Sequence, residues 1–133
     1  MRGEARRWLE EEWDLETAEY LHRNGRFNAA CFYAQQSAEK AVKALLYSIN
    51  ESPWGHSVRE LINRFADATK NNVEHLLPYA RELDRHYFPS RYPNAHPFGT
   101  PHEAYDEVTS KRALSYAKEI LSFAKYRIEG EKP

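Results

Sequence analysis

The chain has 133 residues, 41% of them hydrophobic, which suits one domain with a sizeable core and is too short for two ordinary ones. Its 19 basic and 20 acidic residues leave a net charge of -1, so no global positive field draws it to nucleic acid and any such contact must be local. A single cysteine, Cys31, excludes an internal disulfide and a cysteine zinc cage, and the absence of a signal peptide or an 18-residue apolar run points to a soluble, cytoplasmic protein.

A first helix is predicted over Ala5–His22, with Ala5, Trp8, Leu15, Ala18 and Leu21 inward and Glu10, Glu11 and Glu12 on a solvated face. Asn24 and Gly25 end it, and the chain returns as a central helix over Phe27–Asn50. There Phe27, Cys31, Ala34, Ala38, Val42, Leu45 and Ile49 recur at spacings of three and four, and the many alanines let a neighbouring helix approach closely. Cys31 lies on this apolar stripe and reads as a small buried hydrophobe.

After ESPWGHS, Ser57 caps a short third helix with Glu60 completing a capping box, and His56 orients the loop just outside. A fourth helix follows over Val73–Tyr87, either kinked at Pro78 or regular only from there. The last helix is preceded by an early turn around His102–Asp106, runs from about Ser110 with Thr109 as its cap, and ends at Gly130 before a frayed tail. No segment alternates as a strand does. The sum is all-α: an up-and-down bundle of four main antiparallel helices plus one short helix, with a core over about 5–128.

Between the last two helices lies FPSRYPNAHPFGTP, with four prolines and one glycine in fourteen residues. It cannot be helix. It nevertheless concentrates Arg91, Tyr92, Asn94, His96 and Phe98, and loops of that composition between rigid helices are where function tends to sit.

ACFYAQQSAEKAVKALL on the central helix, GHS opening the third and RYPNAH in this loop together resemble the HEPN domain family, over about Trp8–Ile128. The resemblance implies a helical bundle that dimerises and pairs with a minimal nucleotidyltransferase as a toxin and antitoxin couple, binding a nucleotide or RNA phosphate. It also implies, as the alternative, a metal-independent ribonuclease toxin whose Arg and His stand four to six residues apart, which Arg91 and His96 satisfy. One histidine cannot easily serve as both base and acid, so a twofold dimer would supply the second.

The candidate catalytic pair is therefore Arg91 and His96: a guanidinium fork for phosphate and an imidazole that titrates near neutrality. The candidate ligand-binding residues are Arg91, Tyr92, Asn94, Gln35 and Gln36. The structural alternative for Arg91 is an ion pair with Asp84, Glu103 or Asp106; for a semi-buried Gln35 or Gln36 it is a loop carbonyl or a helix end. Glu39 and Lys40 read as an exposed pair. His86, His96, His102 and Asp106 lack the spacing of a metal site, no cofactor is called for, and the scattered aromatics form no stacking platform for single strands.

Overall fold

The computed structural model describes residues 2–130, and these are all-α. Helices α1 (Arg2–Leu9), α2 (Trp13–Arg23), α3 (Phe27–Ser48), α4 (Val58–Thr69), α5 (Leu77–Asp84), α6 (Pro101–Ala104) and α7 (Glu107–Glu129) are interspersed with single 3₁₀ turns at Glu10–Glu12, Glu74–Leu76 and Pro93–Ala95. The fraying expected of the tail falls on 131–133, outside the described residues. No helix among the described residues is long and apolar enough to cross a membrane.

Helix α3 is the hub, packed against α1, α2, α4, α5 and α7. Ala30, Ala34, Ala38 and Ala44 are fully buried along it, as are Ala113, Ala117 and Ala124 along α7. Side chains this small let two helix axes approach to about 8 Å, so the α3–α7 seam is tight and leaves the larger Leu45, Leu46, Leu61, Ile62, Leu83 and Ile120 to fill the spaces between helices.

Several boundaries differ from those read in the sequence. The first helix begins at Arg2 and is interrupted at Glu10–Glu12, where the carboxylates separate: Glu11 reaches Lys40 at 3.7 Å and Glu12 reaches Lys125 at 2.6 Å. Two of the three glutamates thus tie the N-terminal segment to α3 and α7. Pro78 occupies the first turn of α5, where its missing N–H costs nothing, so there is no kink.

The N-terminus of α4 is held differently from the expected box. Ser57 Oγ accepts from the Glu60 N–H at 3.1 Å, while the Asp84 carboxylate, from the end of α5, accepts from the Val58 and Arg59 N–H groups at 2.7 and 3.1 Å. At the other end of the chain, Thr100 and Glu103 form the capping box of α6, and Asp106, not Thr109, caps α7 by accepting from the Thr109 N–H at 2.8 Å. That cap starts α7 three residues before Ser110. Gly130 ends it at φ 75°, a conformation that costs glycine nothing.

Candidate functional site

Past Asp84 the chain does not stop turning. The N–H groups of Arg85, His86 and Tyr87 donate to the Glu82, Leu83 and Asp84 carbonyls, a tightening spiral that ends in the proline-rich loop. Two buried contacts staple it to the bundle: Ser90 Oγ donates to the His86 carbonyl, and Asn28 Nδ2, on the first turn of α3, donates to the Ser90 carbonyl at 3.1 Å. The loop is therefore fixed from beneath, and its outer side is free to carry side chains.

Arg91 is exposed, and its Nε donates to the Tyr87 carbonyl at 2.9 Å. Its Cζ lies 4.4, 4.8 and 4.9 Å from the centroids of Phe32, Tyr87 and Tyr92, so the guanidinium stands inside an aromatic cage. None of the three carboxylates considered as partners reaches it. Asp84 and Asp106 serve the N-termini of α4 and α7, and Glu103 serves that of α6, because each helix start presents unsatisfied N–H groups that compete for a nearby carboxylate. Arg91 has no ion-pair partner among the described residues, and its terminal nitrogens face outward from a stacked, preorganised plane.

His96 is half-buried, with Nε2 2.7 Å from the Pro89 carbonyl. A carbonyl can only accept, so Nε2 carries the proton and the neutral ring presents its lone pair at Nδ1. Arg91 and His96 are thus both drawn back onto the same turn, on carbonyls two residues apart. Tyr92 stacks on Phe88 at 4.8 Å, and Asn94 is exposed on the Pro93–Ala95 turn.

Gln35 and Gln36 belong to a second cluster. Gln35 is fully buried; its Nε2 donates to the His56 carbonyl at 3.0 Å, and its Oε1 accepts from Gln36 Nε2 at 2.8 Å. Beside them Glu39, read in the sequence as half of an exposed pair, is only 4% exposed. It meets Lys43 at 3.1 Å and His56 Nδ1 at 3.1 Å, whereas Lys40 turns to Asp14 on α2 at 2.8 Å. The reason is angular: residues one apart on a helix point about 100° away from each other, while Gln35, Glu39 and Lys43 recur every four and share one face. That recurrence is visible in the sequence and is the signal for this cluster. The ring of His56 stacks on Tyr87 at 5.2 Å with the planes 16° apart, so Tyr87 joins the two clusters.

A third polar group lies inside the bundle. His86 is buried, its Nδ1 2.9 Å from the Tyr105 hydroxyl and its Nε2 3.7 Å from Glu82, which itself pairs with Arg112 at 2.7 Å. Burial pulls the imidazole below its ordinary value, outweighing the opposing pull of Glu82. Burial and the Glu82 charge also push the Cys31 thiol up to about 12. Among the described residues no group of three or more His, Cys, Asp or Glu is arranged to hold a metal ion. The largest surface hollow, about 450 Å³ along Trp13, Glu16, Tyr20 and Arg23 of α2, touches none of these clusters.

The HEPN domain model matches residues 5–128, nearly the whole described chain. The chain belongs to the HEPN domain family. Among HEPN relatives of known structure it is similar to the TT1696 protein of Thermus thermophilus, with 36% identity and a TM-score of 0.88 over 92% of this chain and 97% of that one. ST0689, described as an archaeal HEPN homologue, superposes with a TM-score of 0.79 at 36% identity, covering 94% of this chain and 98% of that one. A Methanocaldococcus jannaschii protein named "Putative toxin MJ1304" is 28% identical over 123 residues, 86% of this chain and 80% of its own length. The HEPN fold here thus brings Arg91, Tyr92 and His96 onto one stapled loop, and leaves Gln35 and Gln36 as struts beneath His56.

Proposed function

We propose that this HEPN domain is the toxin-type member of a two-protein pair and acts on the backbone of single-stranded RNA, Arg91 holding a phosphate and His96 transferring a proton. The observation that carries this reading is the pairing of an unneutralised, caged guanidinium with an imidazole of fixed tautomer on the same turn. A cation without a carboxylate partner keeps its full attraction for phosphate, and its bidentate fork suits the two free oxygens of a phosphodiester. The exposed Tyr92 beside it offers a ring face to an unstacked base. The name of the M. jannaschii relative agrees with a toxin, and the family resemblance supplies the rest of the reading: a homodimer and a minimal nucleotidyltransferase as the second protein.

A second reading, a regulatory module that binds a nucleotide without cleaving RNA, is favoured by the net charge of -1, which provides no attraction for a long polyanion beyond the Arg91 locality. One experiment separates them. The full chain and its Arg91→Ala and His96→Ala variants are incubated with a labelled single-stranded RNA, following cleavage on gels and binding by anisotropy. The ribonuclease reading expects cleavage that both variants lose, with binding weakened only by Arg91→Ala. Binding by the wild type with no cleavage at any pH between 5 and 9 selects the regulatory module instead.

A further inference from the structure

His56 is pinned at three points and open on its fourth side. Its carbonyl accepts from Gln35, its Nδ1 faces the Glu39 carboxylate at 3.1 Å, and its ring lies flat against Tyr87, yet its side chain is 62% exposed. Glu39 is itself held by Lys43 and by both glutamine amides, with only 5% of its side chain exposed. An ionised carboxylate can only accept a hydrogen bond, so it keeps the proton on Nδ1 and leaves the lone pair of the neutral ring at Nε2, pointing to solvent. A loop-orienting histidine needs none of this; a buried carboxylate that fixes the tautomer of an exposed imidazole is the arrangement of a general base.

Tyr87 carries both groups, with the His56 ring 5.2 Å and the Arg91 Cζ 4.8 Å from its centroid. The geometry points to His56, held by Glu39, as a second proton-transfer residue of the Arg91 site, so that one protomer holds both a base and an acid; this rests on the ribonuclease reading above. The substrate is an RNA phosphodiester with its phosphate on Arg91. His56 Nε2 takes the proton of the 2′-hydroxyl, and the oxygen's electron pair forms the new bond to phosphorus. The bond from phosphorus to the 5′-oxygen breaks, its pair stays on that oxygen, and the oxygen receives a proton from protonated His96 Nδ1. The products are a 2′,3′-cyclic phosphate and a 5′-hydroxyl, and proton exchange with water resets both imidazoles. Glu39 acts through His56 and is a positioning residue. The charged and titratable groups about His56 are Glu39 and Lys43 on α3, Tyr87, Arg91 beyond that ring, and Asp84, which binds the neighbouring Ser57.

The test uses the full chain, a 5′-labelled single-stranded RNA 30-mer and its all-2′-deoxy counterpart, with rates followed from pH 5 to 9. His56→Asn and His56→Ala alter an exposed side chain, so both should fold; unchanged thermal midpoints check this. The expected result is cleavage of the RNA and not of the deoxy strand by the wild type, a fall of about 10²-fold or more for His56→Asn, loss of one limb of the rate–pH curve, and unchanged RNA affinity. Added imidazole should restore part of the rate to His56→Ala. Glu39→Gln should lower the rate and shift the remaining limb, although it leaves Lys43 without its carboxylate, so the His56 variants decide. Wild-type rate and pH profile in His56→Asn, or a lowered rate with the profile unchanged and no rescue by imidazole, would overturn the role of His56 while leaving that of Arg91 and His96. A wild type that cleaves nothing would overturn the ribonuclease reading and this inference with it.

Discussion

Ser57 and Asp84 are joined by a 2.8 Å hydrogen bond from the serine hydroxyl to the carboxylate, so the start of α4 and the end of α5 share one polar knot. The same carboxylate accepts the first two N–H groups of α4, and the spiral that carries Tyr87 begins immediately after it. Asp84→Ala should therefore lower stability by about 2 kcal/mol, since it strands two N–H donors and removes an anion at a helix N-terminus. Urea unfolding followed by circular dichroism should show a lower midpoint at unchanged slope. Asp84→Asn, which keeps an acceptor, should lose less.

Arg91→Lys tests the fork rather than the charge. Lysine retains the cation but can neither donate Nε to the Tyr87 carbonyl nor stack as a plane among Phe32, Tyr87 and Tyr92. Affinity for a single-stranded RNA should fall about tenfold, as the loss of one charge-assisted hydrogen bond allows, while the dependence on salt stays the same. Arg91→Ala removes the phosphate contact, and the slope of log K against log salt should flatten by about 0.7. Anisotropy titrations across a potassium chloride series measure both.

The sequence carried the fold because its helices are marked redundantly: an apolar stripe on α3, caps at Ser57 and Thr100, and stops at Gly25 and Gly130 all agree. It carried the loop of Arg91, Tyr92, Asn94 and His96 because proline and glycine exclude helix there. It could not say where Asp84, Glu103 and Asp106 go, because a carboxylate near a helix start has two competing claims, a cation and the free N–H groups, and only spatial arrangement chooses between them. Glu39 escapes a sequence reading for a different reason. A charged residue among alanines looks solvated until the loop of His56 and the side chain of Lys43 are seen to close over it.

Cys31 should behave as an inert thiol. At pH 8 a thiol pushed up to about 12 holds only about one part in ten thousand as thiolate, and burial between α3 and its neighbours blocks access as well. Reaction with a disulfide reagent should be negligible in the folded protein and become fast in 6 M guanidinium. Native labelling within seconds would mean that the bundle opens around α3 far more readily than its packing implies.

His86 should make stability depend on pH in a window set by its own titration. The folded state lowers the imidazole below the ordinary 6.5, chiefly through burial, so the unfolded chain takes up this proton more readily than the folded one. Stability from the neutral ring is accordingly complete above pH 6.5 and is lost progressively as pH falls below it. Asp106, whose carboxyl the Thr109 N–H holds below its ordinary 3.8, loses its contribution only at lower pH, which leaves the interval from 6.5 to 5 to the imidazole. The thermal midpoint should fall across that interval, and His86→Gln, which can still bond the Tyr105 hydroxyl but cannot charge, should flatten the fall at some cost in stability at pH 8. Parallel melting curves for the two proteins from pH 8 to 5 would contradict a buried neutral His86, and would indicate that Glu82, 3.7 Å away, holds the ring in its charged form instead.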